Sequence, residues 1–554
     1  MVTLLATVIL LGVLITVHEL GHFLVAKAAG VKCEVFSIGF GRPLVKKQIG
    51  ETEYRIAVFP VGGYVRMLGM ELDGPVDGPD KGRDLLSKSP LTRILIFAAG
   101  PAMNLILPFF LIVPFVALSD QADQVVANTV GAVDEGLPAW AAGLRAGDRV
   151  TAVDGEPVGT FWEIARAIHE YDGDGPLTLT VARPGADAPV ELSVQPKLVE
   201  RTNRRVKFSR ESWHIGFQPA FLAADVAIAD PAGPLAAAGV RTFDRVLKVG
   251  DTAITRLVQA EQVLGALPAG QTVTLTLERD RVLDPAYPFL TERATVTVPY
   301  TAPAAGTPLG VEHAWRCISS VAPDTPAARV LQVGDCILEV DGHRHSLGAF
   351  VQNRLTNAPD QPKRLKIRRG GRTLEVTVEP LKVVHSDPMA GEIEQWQLGL
   401  VLMVRPDTVV DPDLVTNDQR LAHAWYRAKE QVGYELLVTL NMVGGLFTGA
   451  VSPTQLSGPI TIAAVAGQYA KAGLDHFLHL MIMLSLSIAL LNLLPVPGLD
   501  GGQMMVATVE LIARRPLSPK LRQGLQMVGF AMILLLILFV TGNDLLRQWR
   551  MHAG

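Results

Sequence analysis

The sequence predicts a polytopic α-helical membrane protein with four transmembrane helices, a membrane-associated β-hairpin and inserted periplasmic α+β modules. Three observations predict this class: four apolar stretches, a soluble middle region that repeats itself, and basic loops on one side of the apolar stretches. Charged residues make up only 19% of the 554 residues, which fits a chain partly in lipid and partly in water. The net charge of -4 gives no reason to expect nucleic-acid binding.

The first apolar stretch, from Val2 to Ala28, contains three ionisable residues, His18, Glu19 and His22. Such groups are expensive in lipid and normally indicate function. Histidines four residues apart share one face of a helix, so both can bind one zinc ion. Glu19 is then expected to act as the general base on a zinc-bound water. The stretch has no basic start and no small-residue cleavage site, so we do not expect a removed signal peptide.

The segment that follows, residues 35–70, predicts short strands at 53–58 and 63–68 and is rich in glycine. The second apolar stretch covers 91–118. Nine lysines and arginines separate it from the first stretch, and four lie between the third and fourth. This distribution predicts that both loops face the cytoplasm and that the middle region and both termini face the periplasm or the outside. Arg547 and Arg550 oppose that orientation weakly.

Three similar units occupy the soluble middle region. Asp148, Asp244 and Asp335 hold matching places in them, separated by one small-domain length each time. The residue pattern of each unit predicts a short helix, a turn and an alternating strand that ends in a second turn. The second unit departs from the others, because Gly250-Asp251 replaces the terminal Asp-Gly.

The third apolar stretch, 477–494, ends in an irregular segment from Asn492 to Gly502 with two prolines and three glycines. Irregular backbone at membrane depth is tolerated where it lines a cavity. Asp500 is the only acid in this segment, and we expect it to be the third zinc ligand; the alternative is that it caps the next helix. The fourth apolar stretch is 528–540 with its flanks.

Two further features concern the middle and the end of the chain. An amphipathic stretch over 424–450 predicts a helix along the periplasmic membrane surface. Cys317 and Cys336 could pair in an oxidising compartment or remain buried thiols. The expected order is therefore 1–30 transmembrane helix, 31–90 hairpin loop, 91–118 transmembrane helix, 121–200, 210–300 and 308–384 modules, 420–455 amphipathic helix, 474–494 transmembrane helix, 495–521 metal-ligand loop with a cytoplasmic segment, and 522–542 transmembrane helix.

Four motifs together resemble the site-2 protease family of intramembrane zinc metalloproteases, and within it the regulator-of-sigma-E protease group. They are His18 to His22, Gly100 to Asn104, Leu456 to Ile460 and Asn492 to Gly502. The three units are similar to PDZ domains of the bacterial protease-associated type, the first and third more than the second. The resemblance covers both membrane ends and most of the middle.

The resemblance implies one zinc ion per chain, bound by His18, His22 and Asp500. It implies that Asn492 holds substrate backbone near the metal. It also implies that the hairpin, with Gly62 and Gly63, accepts an unwound substrate strand in the bilayer; the alternative is an ordinary cytoplasmic hairpin. The active site would lie near the cytoplasmic side of a bacterial inner membrane.

By resemblance, the substrate is a single-span membrane protein already trimmed outside, with an anti-sigma factor as the leading candidate and remnant signal peptides as the second. The PDZ modules would bind peptide ligands or exclude untrimmed substrates by size. Three departures concern substrate preference: Gln503 stands where the group often has His, Ser487 where it commonly has Asn, and three modules where it has one or two.

Two rival functions belong to other classes. A catalytically silent membrane scaffold would present the PDZ modules, but it would often lose a base such as Glu19. A zinc transporter or sensor would need further metal-binding clusters. His476 and His479 could share a helix face, yet we expect them at the membrane interface rather than on a metal.

Overall fold

The computed structural model describes residues 2–70, 78–119, 124–203, 208–219, 223–282, 291–344, 351–352, 354–355, 360–387, 391–402, 413–449 and 458–553. Leu456 of the motif at 456–460, Ser457 beside it and the end of the amphipathic stretch at Ala450 lie outside these ranges. The helices are α1 (Val2–Ala28), α2 (Pro90–Leu118), α3 (Pro138–Ala141), α4 (Phe161–His169), α5 (Pro234–Ala237), α6 (Leu257–Gly265), α7 (Arg420–Thr448), α8 (Pro459–Ala472), α9 (Leu474–Leu493), α10 (Asp500–Ala513) and α11 (Pro519–Ala553).

Four of these helices are long and apolar enough to cross a membrane, namely α1, α2, α9 and residues Pro519–Leu546 of α11. This agrees with the four expected spans, although the fourth helix begins earlier and continues to Ala553. Helix α2 is central, since α1, α9, α10 and α7 all pack against it. Leu10 and Leu14 of α1 meet Leu107 of α2 and Phe477 of α9 in one buried cluster.

Strands β1 (Cys33–Ile49) and β2 (Thr52–Met67) form an antiparallel hairpin with a turn at Gly50 and Glu51. Ser37 is partnered by Tyr64 on one side and by Arg55 on the other. The first half of β1 therefore lies between the two halves of β2. The predicted strands at 53–58 and 63–68 are these two halves, joined in one bent strand. Pattern alone suggested a break because Pro60 and Gly62 lie between them.

The soluble region contains three modules, each with a four-stranded sheet of the same order. The sheets are β6-β5-β7-β8, β14-β13-β15-β16 and β20-β19-β21-β22. In each module, a short strand near the start of the module also pairs with a short strand at its end. The strands are β3 (Gln124–Val126), β4 (Val130–Val133), β5 (Arg149–Val153), β6 (Glu156–Pro157), β7 (Leu177–Ala182), β8 (Val190–Val194), β9 (Lys197–Asn203), β10 (Phe208–His214), β11 (Phe217–Pro219), β12 (Val226–Ile228), β13 (Arg245–Val249), β14 (Thr252–Ala253), β15 (Thr272–Val282), β16 (Thr291–Thr301), β17 (Val311–His313), β18 (Ile318–Val321), β19 (Cys336–Val340), β20 (His343–Arg344), β21 (Lys363–Arg369), β22 (Arg372–Val378), β23 (Leu381–Asp387), β24 (Gly391–Gln397), β25 (Leu400–Leu402) and β26 (Leu414–Thr416).

The three matching aspartates make the same contacts in each module. Each is buried at 1% exposure, each accepts a backbone N–H three residues before it, and each receives two bonds from an arginine in or directly after the third strand of its sheet. The Nη2 atom of each arginine also donates to a nearby backbone carbonyl oxygen. The pairs are Asp148–Arg183, Asp244–Arg279 and Asp335–Arg369, with closest distances of 2.8, 2.6 and 2.6 Å. This repeated pair explains why the aspartate recurs in the sequence.

The turn of the second module has the same backbone conformation as the turns of the other two modules. Asp154, Gly250 and Asp341 occupy the same place after the second sheet strand, and their φ angles are 48°, 56° and 51°. Glycine and aspartate both tolerate this left-handed conformation. Gly250-Asp251 therefore satisfies the same backbone requirement as the two Asp-Gly pairs.

Two connections hold the modules to each other and to the membrane helices. Cys317 and Cys336 form a disulfide in a buried cluster with Ala227 and Phe243 of the second module. The alternative of two buried thiols is therefore wrong. Helix α7 packs on α2 and α9 through Ala428 and Val432, and its first turns meet α4 of the first module. Its predicted position on the membrane surface stays a prediction.

Candidate metal centre

Helix α1 presents His18 and His22 on one face, toward α2. Both side chains are buried, with exposures of 7% and 6%, and their Nε2 atoms lie 3.1 Å apart. The spacing of four residues gives this result directly, since 3.6 residues make one turn. Glu19, the residue after His18, faces the hairpin and not α2.

Asp500 reaches the same point from the other end of the chain. It is the first residue of α10, while Leu499 occupies the N-cap position without a side-chain bond. Its carboxylate oxygens lie 3.0 Å from His18 Nε2 and 3.3 Å from His22 Nε2. The carboxylate therefore meets the histidines, and the alternative role as a cap of the following helix finds no support in this geometry.

The three donor groups fit a zinc ion. Zinc bonds of about 2.0–2.2 Å to nitrogen and oxygen in a tetrahedron place neighbouring donor atoms roughly 3.3 Å apart. The observed separations of 3.0, 3.1 and 3.3 Å are close to that edge. All the relevant atoms lie within 4.8 Å of one another. Two imidazoles and one carboxylate leave the fourth corner for water or substrate, as catalytic zinc sites do.

Partners on α2 orient both imidazole rings. His22 Nδ1 lies 2.8 Å from the carbonyl oxygen of Ile96, so Nδ1–H donates there and Nε2 is left unprotonated toward the centre. Asn104, which is fully buried, lies 3.4 Å from His18 Nδ1 through its amide. The two amide atoms exchange by a half-turn, and with oxygen toward the ring Asn104 accepts from Nδ1–H. Ser485 Oγ of α9 donates to the backbone carbonyl oxygen of Asn104 at 2.7 Å.

Two glycines allow α1 and α2 to approach this closely. A Cβ on Gly100 would lie 2.3 Å from His22 Nε2 and 2.8 Å from His18 Nε2. A Cβ on Gly21 would lie 2.2 Å from the Ala99 carbonyl oxygen. Both distances are below any normal contact, so the centre requires glycine at each place.

The segment that precedes Asp500 also depends on glycine. A Cβ on Gly501 would lie 2.3 Å from the Leu494 carbonyl oxygen, and one on Gly502 would lie 2.2 Å from that of Val496. The irregular segment therefore folds back onto the first turn of α10. Asn492, the last polar residue of α9, is half-buried with its amide 3.5 Å from His18 Nε2.

The hairpin contacts the centre through Glu19. The backbone N–H of Val65 donates to Glu19 Oε2 at 3.1 Å, and a Cβ on Gly63 would lie 3.7 Å from Glu19 Cγ. Gly62 has a φ of 128° and lies under the ring of Phe40. The predicted residues Gly62 and Gly63 thus lie in the part of β2 nearest to Glu19.

Salt bridges fix the other end of the hairpin. Glu51 in the turn accepts from Arg83 at 2.6 Å and from Lys27, at the end of α1, at 3.1 Å. These bonds, Arg83 first, hold the pKa of Glu51 below its usual value. The hairpin is thereby tied to α1 at both the turn and the Glu19 contact.

Other residues singled out in the sequence lie away from the centre. Ser487 Oγ donates back to the Met483 carbonyl on its own helix and is exposed. Gln503 lines a small cavity beside Gly69 and Arg93. His476 bonds Asp475, and His479 contacts Gln431 and Glu435, so neither histidine is near the three ligands. Within the described ranges one other group, Glu312 with Cys317 and Cys336, is as close-set, and its sulfur atoms form the disulfide.

Sequence reasoning missed two contributors. The sequence presents Gly100 and Asn104 as part of a motif, but it does not reveal their contacts with the histidines. The modules also share a sequence signal: a left-handed glycine stands at or just before the closing strand in Ile215-Gly216-Phe217, Leu309-Gly310-Val311 and Leu398-Gly399-Leu400. The three glycines have φ of 91°, 74° and 72°.

Comparison with known proteins identifies the family of the chain. Residues 6–536 match the model of peptidase family M50, and the chain belongs to this family. It is therefore a metalloprotease of the membrane.

Named relatives extend this assignment. The chain is 27% identical over 550 residues to the regulator of sigma-E protease RseP of Escherichia coli strain K12, covering 98% of this chain and 97% of that protein. It is 27% identical over 551 residues to a regulator of sigma E protease of Salmonella typhi, with 98% of each chain covered. A relative from Neisseria meningitidis, 27% identical over 98% of this chain and 99% of its own length, bears the name of a zinc metalloprotease. Among solved structures, HtrA-type protease AlgW with decapeptide aligns with 38% of this chain and 79% of its own at 15% identity and a TM-score of 0.12, and nothing is concluded from that likeness.

Proposed function

We propose that this metalloprotease holds one zinc ion with His18, His22 and Asp500 and cuts peptide bonds within or near the transmembrane segment of single-span proteins. The observation that carries the proposal is the convergence of three donor groups from α1 and α10, at separations of 3.0 to 3.3 Å, next to Glu19. Zinc bound there would activate a water molecule and polarise the substrate carbonyl.

The surrounding side chains perform the proton chemistry. Glu19 takes a proton from the attacking water at one carboxylate oxygen and later delivers it to the leaving amine. The Val65 N–H holds the other oxygen at 3.1 Å, which fixes the direction of the carboxylate. The Asn492 amide, beside His18, donates to the substrate carbonyl as negative charge develops on its oxygen.

The hairpin supports a role in opening the substrate helix. A helical substrate hides its carbonyls in hydrogen bonds and has to unwind before it can be cut. The backbone of β2 next to Gly62 and Gly63 lies beside Glu19, so a substrate strand paired along it would pass the centre. Since a hairpin in plain water would not need such a contact with a membrane helix, this geometry favours the membrane-associated role.

The modules are proposed to be PDZ-like and periplasmic, acting on substrates before they reach the centre. Their common strand order, the left-handed glycine before each closing strand and the disulfide support this. They would bind peptide or exclude untrimmed substrates by size. An anti-sigma factor is the first substrate class, in keeping with the names of the relatives, and remnant signal peptides are the second. The protein would lie in the bacterial inner membrane with the centre near the cytoplasmic side.

The proposal is tested with purified protein in detergent and a tagged single-span anti-sigma-factor fragment. Wild type, Glu19→Gln and Asp500→Ala are compared, with bound zinc measured in each and Glu156→Gln, at the exposed start of β6, as the matched control. We expect wild type and Glu156→Gln to cleave, Glu19→Gln to keep zinc without cleaving, and Asp500→Ala to lose both. Cleavage by Glu19→Gln at the wild-type rate would refute the assigned base.

A further inference from the structure

The outer segment of β1, residues 43–49, forms one edge of the hairpin sheet. It pairs with the first half of β2, where Val45 lies opposite Ile56. The other edge of the sheet is the second half of β2, where Gly63 lies beside Glu19. The outer segment is therefore on the side of the sheet away from the metal centre, and the proposed function does not use it.

The hairpin lies alongside the last turns of α1, one of the four candidate spans. At one end the backbone N–H of Val65 donates to Glu19, and at the other end Glu51 in the turn pairs with Lys27. The eight residues from Glu19 to Lys27 cover about 12 Å of α1 at the helical rise. A sheet at this depth beside a spanning helix meets acyl chains and headgroups wherever protein does not cover it.

One face of the sheet packs on α1 and continues beyond it. The ring of Tyr54 lies 5.9 Å from the ring of Phe23 on α1. Lys47 pairs with Tyr54 and Val45 pairs with Ile56, so these four side chains share the face that meets α1. Val45 and Ile56 are nevertheless 62% and 49% exposed. The face that contacts a spanning helix thus extends outward as an apolar surface that the described chain leaves uncovered.

Three cations lie on or next to the outer segment, namely Arg42, Lys46 and Lys47. All three are exposed, and none pairs with a carboxylate among the residues that the structure describes. The acids of β1, β2 and their turn already bond other basic residues; they are Glu34, Glu51 and Glu53. Cations beside hydrocarbon normally pair with an anion or extend to the headgroups. Phosphates of anionic lipids offer both at this place.

Anionic lipid fits the outer segment better than an acidic peptide does. Leu44, which is 67% exposed, points to the face opposite to Val45, so apolar side chains and cations occupy both faces of the segment. A peptide strand would add along the edge and leave most of both faces open. Lipid surrounds the faces and the edge together, and the stems of Lys46 and Lys47 can lie along acyl chains while their ammonium groups reach phosphates.

We propose that the outer segment of β1 is a binding surface for anionic phospholipid headgroups, with Arg42, Lys46 and Lys47 as the cations that hold the phosphates. The lipids lie in the leaflet at the Lys27 end of α1. They hold one edge of the sheet while the other edge meets Glu19. Resting on the proposed function, this surface makes cleavage depend on anionic lipid, because both edges belong to one hydrogen-bonded sheet.

The test places a fluorophore on the outer segment of the full-length protein in phosphatidylcholine nanodiscs. Gln48→Cys gives an exposed thiol for bimane, whereas Cys33 is buried and the other two cysteines are paired. Nitroxide-labelled phosphatidylglycerol or phosphatidylcholine is added at equal mole fraction. The ratio of their quenching constants measures the local enrichment of anionic lipid. Leu535→Cys, at a 67% exposed position of α11, is the reference site.

We expect a quenching ratio of about 5 at residue 48, the enrichment that one surface cation gives, and of about 1 at residue 535. In the triple variant Arg42→Gln, Lys46→Gln, Lys47→Gln the ratio at residue 48 should fall below about 2. A ratio of about 1 at residue 48 without these substitutions would overturn the surface. So would an unchanged ratio in the triple variant, because the enrichment would then come from cations elsewhere.

Two further variants control for net charge and for folding. The double variant Lys46→Arg, Lys47→Arg keeps the charge and should keep the quenching ratio. A second triple variant removes three exposed module arginines and should also leave the ratio unchanged; it is Arg145→Gln, Arg364→Gln, Arg372→Gln. A fall in the ratio with either control would overturn the assignment to the three hairpin cations. Bound zinc, measured in every variant, shows that the membrane part is folded.

Cleavage of a single-span reporter is measured in the same nanodiscs. Phosphatidylglycerol should raise kcat/KM about 5-fold in wild type and should not raise it in the hairpin triple variant. An equal rise in both proteins would overturn the link between the surface and the metal centre. A higher KM of the hairpin triple variant in pure phosphatidylcholine, with the quenching ratio unchanged, would show that the cations bind substrate and not lipid. If wild type cuts nothing, the proposed function fails, while the quenching ratio still decides the lipid surface.

Discussion

Replacing Gly100 by alanine tests whether the close approach of α1 and α2 builds the metal centre. The new Cβ would lie 2.3 Å from His22 Nε2 and 2.8 Å from His18 Nε2, whereas ordinary contacts begin near 3.4 Å. One ring nitrogen has to move by about 1 Å, or the helices have to separate by a similar amount. A displacement of this size at a reacting centre typically costs about 100-fold in rate.

Helix stability should not confuse the result. Alanine is favoured over glycine in a helix interior by about 1 kcal/mol, so the backbone of α2 gains from the change. We therefore expect Gly100→Ala to fold, to lose at least 10-fold in zinc affinity and to lose about 100-fold in reporter cleavage. Gly542→Ala in α11 is the matched control, because a Cβ there meets nothing within 4 Å.

The assay measures bound zinc after dialysis against graded chelator, together with cleavage of a single-span reporter and the thermal unfolding midpoint. Loss of zinc and cleavage with an unchanged midpoint would support the reasoning. If Gly100→Ala binds zinc and cleaves as Gly542→Ala does, the histidines are not held against α2 as described.

Three further predictions concern other parts of the chain. Glu510→Ala removes the partner of the buried Arg93, paired at 2.5 Å, and of Arg522. The free energy of unfolding measured in detergent should therefore fall by about 3–5 kcal/mol. Glu34→Ala, which breaks a half-exposed pair, should lower it by under about 1 kcal/mol. Burial raises the pKa of the Glu261 carboxyl to about 7. The neutral carboxyl therefore contributes in full to folding stability below about pH 4.5, and this contribution is lost as the pH rises through 7. Glu261→Gln should stabilise the protein at pH 8, by at most about 3 kcal/mol, and not at pH 4, while Glu156→Gln should do neither. Burial raises the pKa of the Cys33 thiol to about 11 and the other two cysteines are paired, so maleimide should label no cysteine in native protein, one after denaturation and three after denaturation with reduction.

Local chemistry made part of the site predictable. His18 and His22 share a face because of helix geometry alone, and their position in an apolar stretch excluded a surface role. Asp500 is predictable as the sole acid in a broken segment and from the family resemblance. The contacts of Gly100 and Asn104 could not be predicted, because they depend on how α1 and α2 pack and not on either helix by itself.

In the fold, too, local features were predictable and contacts between distant segments were not. Apolar length predicted the spans and repetition predicted three modules, whereas the path of the hairpin depended on pairings between its own halves. In the modules the recurring aspartate was visible, but its arginine partner lies 34 or 35 residues later and is recognisable only in three dimensions. The disulfide likewise required the two cysteines to meet across neighbouring strands.

The Cys317–Cys336 bond also sets an order of events in the life of the chain. Disulfides form in oxidising compartments and not in the cytosol. In the proposed periplasmic orientation, this bond within the third module would therefore form only after this part of the nascent chain has been exported, when the first two spans are already inserted. Chains stalled before export would carry three free thiols, and that count distinguishes immature from mature molecules in a cell extract.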